Sequence, residues 1–420
     1  MNKKEQYSII AGLYGNTLEW YDFILYASFA PVFAEIFFPS EIHFVSLLAT
    51  FSLFAIGFIM RPFGGILIGQ YADHFGRRKA LILSMSIMTL STTLIALVPD
   101  YKSLGIAAPI IFSILRLIQG LAVGGELPGS TTYLIEHMFA HKRGLAGSLV
   151  LSSAFFGIFL GALIASVFSA YFTGNALLQA GWRYTYLLGG VLGIFGIYLR
   201  LKSSESPAFQ SKSHHHKHDA PIKIIFSQYK MQLFKAVMLT SILAMSNYLL
   251  IAYVTTFLVK YQGFQLHDAL LINLLALLSL TLFIPIMGYL SDVIGRKPVY
   301  LVGLMALLLY VFPFFLLLVS KDWWHVLYCE LLLALILAPI NATVPTMLAE
   351  MFPTSIRASG ISTGYNIGQA LFGGTMPLIA FTLIELFNNQ LAPAWYLFAW
   401  AIIVLGTTFY VLETYKNNLD

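Results

Sequence analysis

Cysteine is nearly absent from this chain, because Cys329 is the only one in 420 residues. A single thiol excludes an intrachain disulfide and a metal site built on paired thiols. Charge is also scarce, since Asp, Glu, Lys and Arg make up 10% of the residues while 58% are hydrophobic. With a mean hydropathy of +0.79, this composition excludes an ordinary soluble domain. The sequence therefore predicts an integral membrane protein.

Long apolar runs recur along the whole chain. A hydrocarbon core of about 30 Å takes roughly 20 helical residues to cross. Twelve runs satisfy this length, near 8–36, 44–72, 79–98, 105–135, 144–172, 183–201, 233–259, 268–291, 298–319, 325–349, 357–386 and 393–413. They predict an all-α protein of twelve transmembrane helices in two six-helix bundles, residues 1–201 and 233–420, joined by a cytoplasmic linker at 202–232.

The distribution of basic residues predicts the orientation. The first run carries Glu19 and Asp22 and is longer than the apolar core of a signal peptide, so we interpret it as the first transmembrane helix. With both termini in the cytoplasm, 18 of the 24 Lys and Arg residues fall on cytoplasmic segments, as the positive-inside rule requires. This placement accounts for the net charge of +5 without a nucleic-acid partner. We expect a cell inner membrane location.

The linker contains a histidine-rich run from His214 to His218. Such a run can bind a transition metal, but a solvated loop is the simpler interpretation. We therefore predict no metal site and no cofactor.

Two features of the sequence occur twice. The strings GQYADHFGRR at 69–78 and GYLSDVIGRK at 288–297 match, and an acid and an arginine with six residues between them recur as Glu136 with Arg143 and Glu350 with Arg357. Internal duplication of this kind is typical of transporters that bind substrate near the bilayer midplane between two repeats. The charged members suggest a cytoplasmic gate of ion pairs that opens and closes, although basic residues that only set topology are the alternative. The predicted gate residues are Asp73, Arg77, Arg78, Glu136, Arg143, Asp292, Arg296, Glu350 and Arg357.

Charged residues also lie inside the predicted helices of the first half. Glu19 and Asp22 share one helical face, which Asn16 and Tyr26 extend. An ionised carboxylate at the bilayer centre costs roughly 3 kcal/mol, so this face should meet a cavity or a cation. Arg61 lies near the midplane of the second helix.

The fourth helix supplies a matching polar face, because Arg116, Gln119 and Glu126 follow helical spacing. A static ion pair between helices is one interpretation, but intramembrane ionisable residues more often mark functional sites. We expect Glu19 and Asp22 to carry a proton, and Arg61 and Arg116 to bind substrate. Glu126 is the third predicted proton-coupling residue, which we expect to act by pairing with Arg116. Burial raises the pKa of a carboxyl group and a nearby arginine lowers it, so an acid whose arginine neighbour comes and goes with conformation can load and release a proton.

The second half has polar but mostly uncharged helix interiors. Hydrogen-bonding groups without net positive charge suit the orientation of a small polar solute. Each can instead be a contact between packed helices. With Asn16, Tyr26 and Gln119 of the first half, the candidate substrate-binding residues are Asn247, Tyr253, Asn341, Tyr365, Asn366 and Gln369.

These motifs resemble the major facilitator superfamily and, within it, the metabolite:H⁺ symporter family. The two loop signatures resemble the best-known motif of the superfamily, with His74 and Val293 where a basic residue is usual. The narrower resemblance rests on GNTLEWYDF at 15–23, RPFG at 61–64, RLIQG at 116–120 and GGE at 124–126, and on EMFP at 350–353, GIS at 360–362, YN at 365–366 and FGG at 372–374.

The resemblance implies proton-driven uptake of an organic acid, such as α-ketoglutarate, citrate or shikimate, or of a zwitterion such as proline or betaine. The osmosensing members carry a long C-terminal coiled coil, whereas this sequence ends at Asp420, soon after the twelfth predicted helix. Osmosensing is therefore the less expected role. Helix 5 also lacks the glycine-proline motif of drug antiporters, since residues 157–161 read GIFLG. Export is therefore the alternative rather than the main expectation.

Taken together, the sequence predicts a proton symporter that imports a small carboxylate by alternating access. The two midplane arginines favour an acid over a zwitterion, which is the alternative substrate. We expect a monomer in the lipid bilayer, coupled to protons. A receptor on the same fold and a membrane enzyme are the rival classes, and neither an appended signalling domain nor a nucleophile-base pair supports them.

Overall fold

The computed structural model describes residues 3–39, 43–172, 174–212 and 221–416. The predicted His214–His218 loop lies outside the described residues. The α-helices, α1 to α18 in order, are Lys3–Ser28, Ala30–Phe37, His43–Phe75, Arg77–Leu97, Tyr101–Leu104, Ala107–His137, Arg143–Tyr171, Trp182–Lys202, Pro207–Lys212, Pro221–Gln228, Lys230–Tyr248, Val254–Gln262, Leu266–Ile294, Arg296–Leu318, Trp323–Met351, Arg357–Gly368, Met376–Phe387 and Ala392–Phe409.

Ten described helical segments are long and apolar enough to cross a membrane. They are Arg77–Leu97, Ala107–His137, Ala140–Tyr171, Leu177–Lys202, Lys230–Gln262, Leu266–Ile294, Arg296–Leu318, Trp323–Met351, Arg357–Phe387 and Ala392–Phe409. The other two predicted spans fall on α1, of 26 residues, and α3, of 33 residues. Helix α1 carries Asn16, Glu19 and Asp22, which interrupt its apolar surface. The predicted all-α fold class is confirmed.

The chain forms two compact units. The first contains Met1–His137 and Phe156–His218, and the second contains Met138–Phe155 and Asp219–Asp420. The first part of α7 therefore packs within the second unit, while the rest of that helix packs within the first. The domain limits that we drew at 201 and 233 stay a prediction.

In the first unit, α3 and α6 pack with their backbones in contact. A Cβ atom on Gly124 of α6 would collide with the carbonyl oxygen of Arg61, and one on Gly64 of α3 would collide with the backbone of Leu121. Glycines at such positions let two membrane helices approach until their backbones touch. The contact brings the arginine of α3 alongside the polar face of α6.

Helix α7 holds α1 in the same way. Gly157 lies against the backbone of Thr17, and Gly161 lies against Tyr21. These contacts flank Glu19, so the acidic segment of α1 is packed on a rigid helical neighbour.

Two spans of the second unit contain π-helical turns, at Leu249–Tyr253 and Gln369–Gly373. A π-helical turn shifts the register of the backbone hydrogen bonds and is frequent at functional sites. Each turn contains one residue that the sequence analysis proposed for substrate binding, Tyr253 in the first and Gln369 in the second.

Candidate functional site

Two buried ion pairs of the first unit involve the acidic face of α1. Arg61 Nη2 donates to Glu19 Oε1 at 2.9 Å, and Arg116 Nη1 donates to Asp22 Oδ2 at 3.3 Å. All four side chains are buried. The face of α1 predicted from spacing therefore meets two cations, one from α3 and one from α6.

Asp22 has further polar partners besides Arg116. Thr92 Oγ1 donates to Asp22 Oδ1 at 2.9 Å, and Gln119 Nε2 donates to Asp22 Oδ2 at 3.0 Å. Gln119 Oε1 in turn accepts from Arg116 Nη1 at 2.8 Å. Thr92 lies on α4, and no charge or spacing in the sequence pointed to it.

Two tyrosines complete the surroundings of Arg116. The ring of Tyr26 lies 4.0 Å from Arg116 Cζ, a cation–π contact, while its hydroxyl donates to the Thr50 carbonyl at 2.8 Å. Arg116 Nη2 donates to the hydroxyl of Tyr186 on α8. Sequence reasoning missed Tyr186, because a single tyrosine in an apolar helix resembles ordinary packing.

Glu126 does not support Arg116, and that part of the expectation was wrong. Ten residues along one α-helix correspond to about 15 Å, which places the two groups too far apart to pair. Instead Glu126 Oε2 accepts from Arg200 Nη1 at 3.0 Å, and the same carboxylate accepts from the hydroxyls of Ser84 and Ser130 at 3.1 and 3.2 Å. Arg200 was counted only among the basic residues that set topology.

One cleft of the first unit is lined by both ion pairs of α1, Glu19 with Arg61 and Asp22 with Arg116. The residues that line it are Glu19, Asp22, Phe23, Tyr26, Leu53, Gly57, Phe58, Arg61, Arg116, Gln119, Gly120 and Val123. A second, small cavity is lined by both Asp22 and Glu126. Asp22 thus lies between the cleft and the cavity that leads to Glu126. Asn16, the remaining α1 candidate, is buried one turn before Glu19.

In the second unit, two predicted asparagines bind each other. Asn247 Nδ2 donates to Asn341 Oδ1 at 2.9 Å, and Asn341 Nδ2 donates to Asn247 Oδ1 at 3.0 Å. Asn366 Nδ2 donates to the Ser362 carbonyl at 2.8 Å within its own helix. The pair of Asn247 and Asn341 is a contact between α11 and α15, which is the alternative interpretation of such residues.

Three other candidates of the second unit are buried with varied environments. The Tyr253 hydroxyl and Gln369 Oε1 have no hydrogen-bond partner within the described part of the chain, so each can receive a ligand or a water. Tyr365 is buried on α16. The Tyr253 ring packs 4.9 Å from Phe381.

The predicted gate residues of the first unit form one network. Arg77 lies 2.9 Å from Asp73 and donates to both oxygens of Glu136, at 3.2 and 3.3 Å. The Arg78 backbone N–H donates to Glu205, and the Arg78 side chain donates to the carbonyl of Arg200. Glu205 was not predicted.

The second unit holds an equivalent network. Arg296 lies 2.7 Å from Asp292 and 3.4 Å from Glu350, and Arg143 lies 4.0 Å from Glu350. Asp292 also accepts from the backbone N–H groups of Gly144 and Leu145 at 2.9 Å each. Because Arg143 and Asp292 come from different halves of the sequence, this cluster ties α7 to α13.

Arg357, another predicted gate residue, binds the backbone at the end of α15. Its Nε donates to the carbonyls of Ala349 and Phe352, at 2.9 and 3.1 Å. These are the last carbonyls of α15, so the arginine caps the end of that helix.

Comparison with known proteins gives consistent matches over the whole chain. The profile of the family described as "Sugar (and other) transporter" matches residues 7–222 and 211–420. The proline/betaine transporter of Escherichia coli K12 is 32% identical over 98% of this chain and 84% of its own length. A putative proline/betaine transporter of Staphylococcus aureus MSSA476 is 33% identical over 99% of this chain and 90% of its own.

A solved structure of similar fold is the major facilitator superfamily proton:xylose symporter XylE, bound to 6-bromo-6-deoxy-D-glucose. It superposes with a TM-score of 0.79 at 18% identity and covers 98% of this chain and 96% of that one. At this identity the likeness concerns the fold alone.

Proposed function

Because the chain belongs to the sugar (and other) transporter family of the major facilitator superfamily, we propose that it is a proton-coupled importer of a small zwitterion of the proline or betaine kind. It is a multi-pass membrane transporter and not an enzyme. The observation that carries the substrate class is the pairing inside the cleft: Arg61 faces Glu19, and Arg116 faces Asp22.

This pairing changes the argument that favoured a carboxylate. Two arginines at the midplane suggested surplus positive charge, but each is matched by its own acid, so the four groups sum to zero when ionised. While all four groups are ionised, an anion that enters such a cleft without a proton would bring an unbalanced buried charge, which is costly. A zwitterion brings equal and opposite charges and can engage one acid and one arginine together. The names of the relatives, which are proline/betaine transporters, support the same class.

We propose Asp22 as the main proton carrier, with Glu126 as a relay. Asp22 lines both the substrate cleft and the cavity that reaches Glu126, so the two acids share one cavity across which a proton can pass. Arg116 binds Asp22 in this state, and its departure in another state would change the proton affinity of the acid. Glu19 is then available for the substrate.

Transport requires alternating access, which the two charged gate networks can provide. Ion pairs formed in only one state shift the balance of states by their differential free energy. We propose that the protein works in the cell inner membrane as a monomer with both termini in the cytoplasm, which the asymmetric distribution of basic residues supports.

Uptake into liposomes tests this function. Purified protein is reconstituted, an inward proton gradient is imposed, and labelled proline, glycine betaine and α-ketoglutarate are compared with and without a protonophore. We expect gradient-driven accumulation of the zwitterions, together with inward current, because a zwitterion moving with one proton carries a charge of +1. Accumulation of α-ketoglutarate but of neither zwitterion would contradict the proposed substrate class and support a carboxylate substrate. Proton-driven efflux would identify an exporter, and binding without transport would identify a receptor.

A further inference from the structure

We infer that Glu19, Trp20, Phe23 and Phe58 form the subsite for the substrate's ammonium group, and that the guanidinium of Arg61 occupies this subsite when substrate is absent. The inference rests on the proposed function, since it assigns the two ends of a zwitterion to different groups of the same cleft. Substrate entry then replaces an internal cation with an external one.

The rings around Arg61 form a cation-binding surface. Arg61 Cζ lies 5.3 Å from the centroid of Trp20, 5.2 Å from Phe58 and 5.9 Å from Phe23. The rings also contact one another: the Trp20 and Phe23 centroids are 5.3 Å apart, and those of Phe23 and Phe58 are 5.2 Å apart. A cation within about 6 Å of an aromatic centroid is attracted by the ring quadrupole, and such rings recognise quaternary ammonium ligands.

Three polar atoms at this place lack partners. Glu19 Oε2, Arg61 Nη1 and Trp20 Nε1 have no hydrogen-bond partner within the described residues. Their residues are 0%, 4% and 6% exposed. Buried polar atoms are normally satisfied, so several unsatisfied atoms in one cluster require an explanation. An entering ligand explains them, because these atoms include an acceptor on an acid, Glu19 Oε2, and a donor on a cation, Arg61 Nη1.

The two charges of a zwitterion match Glu19 Oε2 and Arg61 Nη1, which have no hydrogen-bond partner among the described residues. Its carboxylate can accept from Arg61 Nη1, while its ammonium lies against Glu19 and the ring faces. Separating Glu19 from Arg61 would otherwise leave two unpaired buried charges. A zwitterion placed between Glu19 and Arg61 gives each of them a partner of opposite charge. The net charge of the cleft does not change.

The subsite predicts a difference between two substrates. A secondary ammonium, as in proline, has N–H donors and can be held by the Glu19 carboxylate. A quaternary ammonium, as in glycine betaine, has no donor and depends more on the ring faces. Removing one ring should therefore weaken betaine binding more than proline binding.

The experiment compares Kd values of the full-length protein for glycine betaine and proline by calorimetry. We expect Phe58→Leu to raise the Kd for betaine about tenfold and the Kd for proline much less, and Phe58→Tyr to restore betaine binding. Phe63→Leu is the matched control, because Phe63 is on the same helix but is 57% exposed. Phe23→Leu provides a second test of the ring surface if the Phe58 variant does not fold.

The outcomes separate this inference from the proposed function. A parent protein that binds neither zwitterion contradicts the proposed function itself. A parent that binds both, with the leucine variants weakened equally for both substrates or unchanged, overturns the aromatic subsite while the proposed function stands.

Discussion

Glu205 and Glu413 make the same contact in their respective units. Glu205 Oε1 accepts from the backbone N–H of Arg78 at 3.1 Å, and Glu413 Oε2 accepts from the backbone N–H of Lys297, the matching residue of the second signature, at 2.9 Å. Each carboxylate thus caps the first turn of the helix that follows a loop signature. Gly76 and Gly295, with φ of 110° and 109°, precede these helices and adopt backbone that other residues rarely do.

The first prediction follows from these caps. An acid at a helix N-terminus satisfies free N–H groups and favours the helix dipole, so its loss costs about 1–2 kcal/mol. We expect Glu205→Ala and Glu413→Ala each to lower the Tm of the detergent-purified protein. Glu35→Ala, at an exposed position of α2, is the control. Parent-like Tm values in both variants would show that the caps contribute nothing to stability.

The duplication visible in the sequence extends to these caps, yet sequence reasoning did not find them. Glu205 and Glu413 bind backbone N–H groups, and such contacts impose no charge partner or helical period that a sequence reveals. Both acids also follow the last long apolar helix of a unit, in segments that resemble ordinary linkers. Charged residues inside apolar helices were easier to identify, because their presence there is costly and requires a reason.

Which residues line the cleft was easier to predict from the sequence than which arginine pairs with which acid. Spacing placed Glu19 and Asp22 on one face, but which arginine meets which acid depends on how α3 and α6 approach α1. Backbone contacts at Gly64 and Gly124 determine that approach. The sequence showed these glycines without showing what they touch.

The second prediction concerns the proton. Asp22→Asn should abolish uphill accumulation of substrate while exchange between equal internal and external pools continues in part, because exchange needs no net proton movement. Counterflow and gradient-driven uptake are measured on the same proteoliposomes. If Asp22→Asn still accumulates substrate as the parent does, Asp22 is not the proton carrier, and Glu19→Gln becomes the variant to examine.

The third prediction concerns the buried pair of Asp22 and Arg116. Arg116→Gln alone leaves a carboxylate in the interior without its cation, and breaking a buried pair from one side costs about 3–5 kcal/mol. The double variant Asp22→Asn with Arg116→Gln removes both charges. We therefore expect it to melt at a higher temperature than Arg116→Gln alone, as measured by thermal unfolding. Equal melting temperatures would mean that the two side chains are not coupled.

The fourth prediction concerns the contact between α3 and α6. Gly124→Ala should push α3 away from α6, displace Arg61 and raise the Kd for substrate. Gly406→Ala is a matched control, because a Cβ atom at Gly406 of α18 meets nothing within 4 Å. Alanine there should be neutral or stabilising by up to about 1 kcal/mol. Unchanged binding in Gly124→Ala would show that the arginine does not depend on this helix contact.

The fifth prediction tests the gate through Asp292. This carboxylate binds Arg296 and the first N–H groups of α7, so Asp292→Asn weakens the tie between α7 and α13. If the tie forms only when the cytoplasmic side is closed, a loss of about 1 kcal/mol shifts the ratio of the two states about fivefold. We expect a larger inward-facing population.

Spin labels on the two loop signatures measure that shift. His74→Cys and Val293→Cys, in a Cys329→Ala background, place labels at exposed positions, and pulsed electron resonance gives the distance distribution between them. The longer distances should gain population in Asp292→Asn. Asp268→Asn, at the other end of α13, should leave the distribution as in the parent. An unchanged distribution in both variants would mean that the charged residues of this loop set topology and do not act as a gate.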